Sequence, residues 1–282
     1  MATPTVDSIN VTSAQSGDRI EIHGSGFSQR SEDIYVQFGD AECPVTSSRE
    51  EEIQCTLSES FAGSKPLYLH VSSRGVANTS RIVLDYSLEL ESISPIEGST
   101  AGGTEVTING CGFYDSETDD AINVDTVFQQ QFAVFRDDTL TAKDCLSGWQ
   151  NIVTLGGNVC EVVESTLTTL TILTPAEMTN ESAYDVTVEV HCPDRPQDSR
   201  SQTLVGSYVY NTALTPTLTS IHPTEGTIHG GDTITLSGSG FSSVTEENTV
   251  KVISRILAPL AKVAQYLQYI GWWFFVHLDF IK

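Results

Sequence analysis

The stretch "EVTINGCGF" (Glu105–Phe113) alternates apolar and polar residues and then closes on Gly-x-Gly-Phe. The same ending closes "RIEIHGSGF" (Arg19–Phe27) and "TITLSGSGF" (Thr233–Phe241). A Gly-x-Gly turn can cradle a phosphate, but a dinucleotide fingerprint needs a third glycine at the sixth place and a helix after it. The sixth places here are Gln29, Asp115 and Ser243, and no helical pattern follows. The glycines therefore read as strand ends where backbones approach closely or take unusual dihedrals, with the phenylalanine plugging a core.

Working outward, the three copies also share an upstream Ser-Ile, at Ser8, Ser92 and Ser220. A Pro-x-x-Gly turn stands at Pro95–Gly98 and Pro223–Gly226 and is absent from the first copy. Apolar residues at every second position (Ile20 and Ile22, Val106 and Ile108, Ile234 and Leu236) put one face of a strand on a core. Further alternating runs are Ile34–Phe38, Leu67–Val71, Ile82–Tyr86, Tyr184–Val190 and Gly206–Tyr210. Short strands between Gly, Pro and Ser turns predict tandem antiparallel sandwiches, an all-β chain.

Spacing places an insertion. Phe27 to Phe113 is 86 positions, whereas Phe113 to Phe241 is 128. Most of the excess falls early, since Phe27 to Cys43 is 16 and Phe113 to Cys160 is 47. The second module is thus expected to carry a surface excursion over 115–158. The third copy follows the pattern through Asn248–Val252 and then departs from it. Its 253–282 segment is basic and aromatic where the rest is acidic and Thr-rich.

Composition limits function. Fourteen Lys and Arg against 37 Asp and Glu give a net charge of −23. Such a surface repels nucleic acid and anionic headgroups, whose binding depends on Lys and Arg displacing counterions. Six cysteines and the sequons at Asn10, Asn78 and Asn180 point to an oxidising, secretory setting with glycans at those three positions. The opening "MATPTVDSIN" has neither the basic nor the apolar region of a signal peptide, so the sequence reads as a piece of a longer secreted-type chain.

The strings "ISPIEGSTAGGTEVTINGCGF" and "IHPTEGTIHGGDTITLSGSGF" resemble the opening of IPT/TIG domains, early-set immunoglobulin-like sandwiches found in plexins, Met-type receptors, fibrocystins and some transcription factors. Ser207–Tyr210 resembles the closing strand of that family. The resemblance covers roughly residues 4 to 252, and the tandem cysteine-containing modules look most like fibrocystins. It implies modules at 4–87 and 88–212, an incomplete third at 216–252 and a divergent tail at 253–282. It also implies a disulfide between Cys43 and Cys55. In the second module Leu173 stands where the second family cysteine is expected, so Cys160 needs another partner. Cys145 with Cys160 would close the inserted loop and leave Cys111 with Cys192.

No catalytic or metal constellation is legible. The acidic run Asp115–Asp125 has Asp120 and Thr126 where a calcium loop wants Gly and Glu. "HGGD" at His229 has no nucleophile elbow to serve, and the six histidines make no zinc pattern. The expectation is a non-enzymatic chain without cofactor or metal. In the tail, Ile256, Leu260, Val263, Leu267 and Ile270 repeat at helical spacing before "GWWFFVHL". It reads as a segment foreign to the repeat or as a membrane-lying helix over 256–278; Pro259, Lys262, Gln265 and Gln268 make it a poor span. The family resemblance implies an extracellular receptor-like or adhesion scaffold binding a protein or glycan ligand, at the cell surface or secreted. Within it, the inserted loop is the expected contact, through Trp149, Phe132 and Phe135. Two other classes share the fold: a carbohydrate-binding accessory module of a sugar-active enzyme and a transcription-factor domain, the latter disfavoured by the acidic surface.

Overall fold

A computed structural model of the chain describes residues 3–79, 82–115, 148–176, 183–227, 229–245, 248 and 250. The first module runs β1 (Thr5–Ile9), β2 (Ser13–Ala14), β3 (Arg19–Ser25), β4 (Ile34–Phe38), β5 (Ala41–Glu42), β6 (Val45–Ser48), β7 (Glu52–Thr56), β8 (Gly63–Val71), β9 (Gly75–Val76) and β10 (Val83–Tyr86). One sheet is ordered β1-β3-β7-β6 and the facing one β2-β10-β8-β4-β5, with β9 on β8. The second module repeats this plan with β11 (Glu89–Ser94), β12 (Glu97–Ser99), β13 (Glu105–Cys111), β14 (Gln150–Leu155), β15 (Asn158–Val159), β16 (Glu161–Ser165), β17 (Thr169–Leu173), β18 (Ala183–His191) and β19 (Arg200–Asn211). Its sheets are β11-β13-β17-β16 and β12-β19-β18-β14-β15. In both modules the chain crosses between sheets at its start, so β2 lies parallel to β10 and β12 parallel to β19. The all-β expectation holds. Among the described residues the helical content is three short 3-10 turns.

Alternation builds each core, because inward positions of the two sheets interdigitate. Ile20, Ile22, Phe27, Phe38, Ile53 and Leu69 fill the first, and Val106, Ile108, Phe113, Val153, Leu170 and Val188 the second. The Gly-x-Gly-Phe ending now has a physical reason. A Cβ on Gly24 would sit 2.0 Å from the Thr5 carbonyl oxygen and 2.7 Å from the Phe27 ring. Gly110 repeats this against Glu89 and Phe113, and Gly238 against Thr217 and Phe241. The second glycine of each copy takes a left-handed φ of +76°, +84° and +78°. Each copy also carries a bulge in the strand opposite, between Val6 and Ser8, Leu90 and Ser92, and Leu218 and Ser220.

The third copy supplies β20 (Thr217–His222) and β21 (Thr235–Ser239), an antiparallel hairpin in the same register. Nothing described covers its apolar face. Phe241 is 37% exposed, where Phe27 and Phe113 are 1% and 0% exposed. The helical pattern over Ile256–Ile270 and the aromatic run after it lie outside the described residues. Among the described residues no helix is long and apolar enough to cross a membrane.

Three sequence expectations need correction. First, the excursion does not extend to Asn158. Gln150–Leu155 is β14, which pairs with β18 as β4 pairs with β8. Cys160 N donates to Val153 O as Cys43 N donates to Val36 O, so the excess between Phe113 and Cys160 lies ahead of β14. Second, Ile172 takes the place of Cys55, not Leu173. Ile172 pairs with Val106 as Cys55 pairs with Ile20. A one-residue slip exchanges the faces of a strand, and only Ile172 faces the core. Third, Cys43 and Cys55 are joined, with Cα atoms 5.3 Å apart, but neither expected pairing in the second module forms. Cys160 is a free thiol packed in the core and Cys111 a free thiol at the edge of the module, whereas Cys192 is disulfide-bonded.

Candidate functional site

The segment between β7 and β8 in the first module is held by polar anchors. Tyr86 Oη accepts from Ser60 N at 3.1 Å and donates to Ser58 O at 3.2 Å. Asp40, in the β4–β5 turn, accepts from Ser60 Oγ and from Lys65 Nζ. Lys65 occupies an inward position of β8, in phase with Leu67, Leu69 and Val71, and is buried. Burial pushes its pKa below the usual lysine range while Asp40 pulls the other way. A charge so placed is tolerated because it is paired, and because its ammonium lies 3.5 Å from the centroid of the Phe61 ring.

These anchors aim Phe61 into the second module. Its ring meets Tyr114 edge-on at 5.5 Å and Trp149 at 5.1 Å. Beside it Ala62 is buried in the second module's core, and Ala62 N donates to Gly112 O at 2.8 Å. A second contact crosses the same junction. Arg200 Nε donates to Asp85 Oδ1 at 2.7 Å and its Nη2 to Ser64 Oγ at 3.1 Å. Cys111 Sγ lies 3.7 Å from the Gln15 amide on the same side. Only Ser87 and Leu88 separate β10 from β11, so the two sandwiches abut.

Tyr114 and Trp149 are also the residues that flank the excursion. Its neck is clamped by Asn151, whose Oδ1 accepts from Tyr114 N at 3.0 Å while its Nδ2 donates to Tyr114 O at 2.6 Å. Ser165 Oγ donates to the same carbonyl. Thirty-two residues, 116–147, therefore leave and re-enter the second module at the point where the first module docks.

This geometry reassigns Trp149. It is half-buried against Phe61 and belongs to the junction rather than to a free loop tip. Phe132 and Phe135 lie outside the described residues, as does Asn180. Asn10 and Asn78 are both exposed. The residues missed by sequence reasoning are Phe61, Ala62, Asp40, Lys65 and Arg200. One signal was present: Lys65 is a charge in the buried phase of an otherwise apolar alternation.

The one hydroxyl–imidazole–carboxylate group among the interactions described is Ser199, His191 and Glu189, but its wiring is wrong for catalysis. Glu189 Oε1 and Ser199 Oγ both contact Nδ1 of His191, at 2.7 and 3.3 Å, whereas a base must take the proton on the opposite nitrogen. Among the described residues no group of three or more His, Cys, Asp or Glu side chains could hold a metal ion. Burial also raises the pKa of both free thiols, Cys160 to about 11, which suppresses the reactive thiolate.

Comparison with known proteins places the repeats. A model of the IPT/TIG domain matches residues 4–84, 88–208 and 216–256. Fibrocystin-L of Homo sapiens is 27% identical over 247 residues, which is 87% of this chain and 5% of that protein. Fibrocystin-L of Mus musculus is 27% identical over 232 residues, 82% of this chain and 4% of that protein. The chain thus spans about one twentieth of the length of these curated relatives. Among solved structures, the plexin A4 extracellular region is 20% identical with a TM-score of 0.29, over 78% of this chain and 16% of that one. A surface glycan-binding protein of Prevotella bryantii is 14% identical with a TM-score of 0.38, over 72% of this chain and 41% of that one.

Proposed function

The chain belongs to the IPT/TIG domain family, and on that premise we propose that it is a non-catalytic binding segment from the extracellular part of a large receptor-like or adhesion protein. Its ligand is an extracellular protein or glycan, and its contact surface is the excursion rooted at the junction of the first two modules. The observation that carries this reading is the clamp at the neck. Asn151 and Ser165 fix the Tyr114 backbone, and Phe61 wedges against both Tyr114 and Trp149. Loops carried on a rigid scaffold lose less entropy on binding than free ones, so such a root favours recognition. Glycans at Asn10, Asn78 and Asn180 would keep other faces clear. The bridging position also makes the site depend on both modules at once.

The test replaces 116–147 with a short glycine-serine linker in the full chain. Binding is then measured against a panel of extracellular proteins and a glycan array. The reading expects every interaction of the parent chain to be lost while the melting of both sandwiches stays unchanged. Retained binding with an intact fold overturns it.

A further inference from the structure

Lys65 stands where the alternation of β8 calls for an apolar residue. Leu67, Leu69 and Val71, in phase with it, are buried in the first core, and its own side chain is 4% exposed. The turn between β4 and β5 closes onto its stem. Gly39 N donates to Pro66 O at 2.8 Å, and a Cβ on Gly39, whose φ is +57°, would sit 2.8 Å from Lys65 Cδ. The close approach brings Lys65 Nζ onto Oδ1 of Asp40, the next residue in the turn. The other carboxylate oxygen, Oδ2, accepts from Ser60 Oγ. Phe61 covers the nitrogen, with the ring centroid 3.5 Å from Nζ. An ammonium has three protons to place. Among the described residues this one meets a single oxygen and a ring face. Burial accordingly pushes the Lys65 pKa below the usual lysine range, although Asp40 pulls the other way, and this favours the neutral, nucleophilic amine.

We propose that Lys65 and Asp40 become joined in the folded first module by an intramolecular amide bond. The ammonium passes a proton to Asp40 Oδ1 across their hydrogen bond, leaving a neutral amine beside a neutral carboxylic acid. The Nζ lone pair attacks Asp40 Cγ, and an N–C bond forms. Oδ2 takes the charge of the opening carbonyl, where Ser60 Oγ already donates to it. The Cγ–Oδ1 bond then breaks, and Oδ1 leaves as water with its own proton and one from the attacking nitrogen. Nothing is oxidised or reduced. The Asp40 side chain is 29% exposed, so the departing water has a route to solvent while the amine stays enclosed. Groups held in such contact react as if at concentrations of about 10⁵ M or more, which drives a condensation that free side chains in water do not undergo. The bond adds a second bridge to Cys43–Cys55. The segment 56–64, which carries the Phe61 wedge, is then tied covalently at both ends.

The experiment digests the full chain with trypsin after denaturation, reduction and alkylation. Cleavage after Arg30, Arg49 and Arg74 releases peptide 31–49 with Asp40 and peptide 50–74 with Lys65, whose bond to Pro66 trypsin does not cut. Once Cys43–Cys55 is reduced, only the proposed amide holds the two peptides together. Neither contains asparagine, so N-linked glycans do not complicate their masses. The expected result is one branched species in nearly all of the protein, lighter by one water molecule than the two peptides together. Its fragment ions should place the link between Asp40 and Lys65, and Lys65→Met should abolish it. Separate peptides at full mass from the parent chain, a link between other residues, or a link that persists in Lys65→Met overturns the proposal. The parent chain alone gives the first two of these outcomes, so the test does not depend on the variant folding.

Discussion

Replacing Phe61 with alanine tests whether the junction is a single cooperative unit. The ring makes two aromatic contacts at 5.1 and 5.5 Å, each contributing roughly 0.5–1.5 kcal/mol beyond burial. The buried Lys65 ammonium over its face adds about 1–2 kcal/mol. Because Phe61 is half-buried, its loss stays below the roughly 3–5 kcal/mol of a deep-core truncation, and about 3 kcal/mol is expected. For some 200 folded residues that lowers the melting point by roughly 6–12 °C if both modules unfold together. The assay is calorimetry on the full chain, comparing Phe61→Ala with Phe61→Leu. The parent should show one main transition, and Phe61→Ala should split it into two. Phe61→Leu, which keeps apolar bulk but loses both ring contacts, should fall between. A shift under about 2 °C with a single transition would refute the reasoning, because the wedge would then carry no coupling energy.

Other outcomes follow from the same geometry. Gly24→Ala and Gly110→Ala force a methyl to within 2.0 Å of a backbone carbonyl and should each unfold their own module, whereas Gly238→Ala, in the lone hairpin, should leave the main melting transition in place. Burial holds Tyr86 protonated, pushing its pKa up to about 12 from an unfolded value of 10. Its contribution is complete below pH 10 and is lost as pH rises through 12, so stability should fall across that window and Tyr86→Phe should flatten the fall. Peptide mapping without reduction should recover Cys43 linked to Cys55 and Cys192 in a cross-linked peptide, with buried Cys160 alkylated only after unfolding and half-buried Cys111 more readily.

The features legible in the sequence are those imposed by local packing. Close approach of strand and phenylalanine admits only glycine at Gly24, Gly110 and Gly238, so the chain writes the motif at each copy. Buried faces write alternation, which exposed Ile20–Ile22 and Val106–Ile108 as strands. Register was less legible. Leu173 and Ile172 are both apolar, and only pairing with Val106 decides which of them faces inward. β14 is hard to separate from the excursion in the sequence because its apolar pair, Val153 and Leu155, sits at the far end of a long spacing. The junction was invisible for a different reason. Phe61 and Trp149 are 88 positions apart, and nothing local in either segment announces the other.

The comparison of the two complete modules also bears on protein engineering. The first spans the gap from Phe27 to β4 with Ser28–Asp33, while the second spans Phe113 to β14 with over thirty residues between sheets of matching strand order. By loop-closure scaling, lengthening that connection six-fold costs only about 1.5 kcal/mol. The second module thus already carries a long insert at this socket. The short Ser28–Asp33 connection, with its single 3-10 turn, is the matching port in the first module, where a foreign recognition loop could be installed without redesigning the sandwich beneath it.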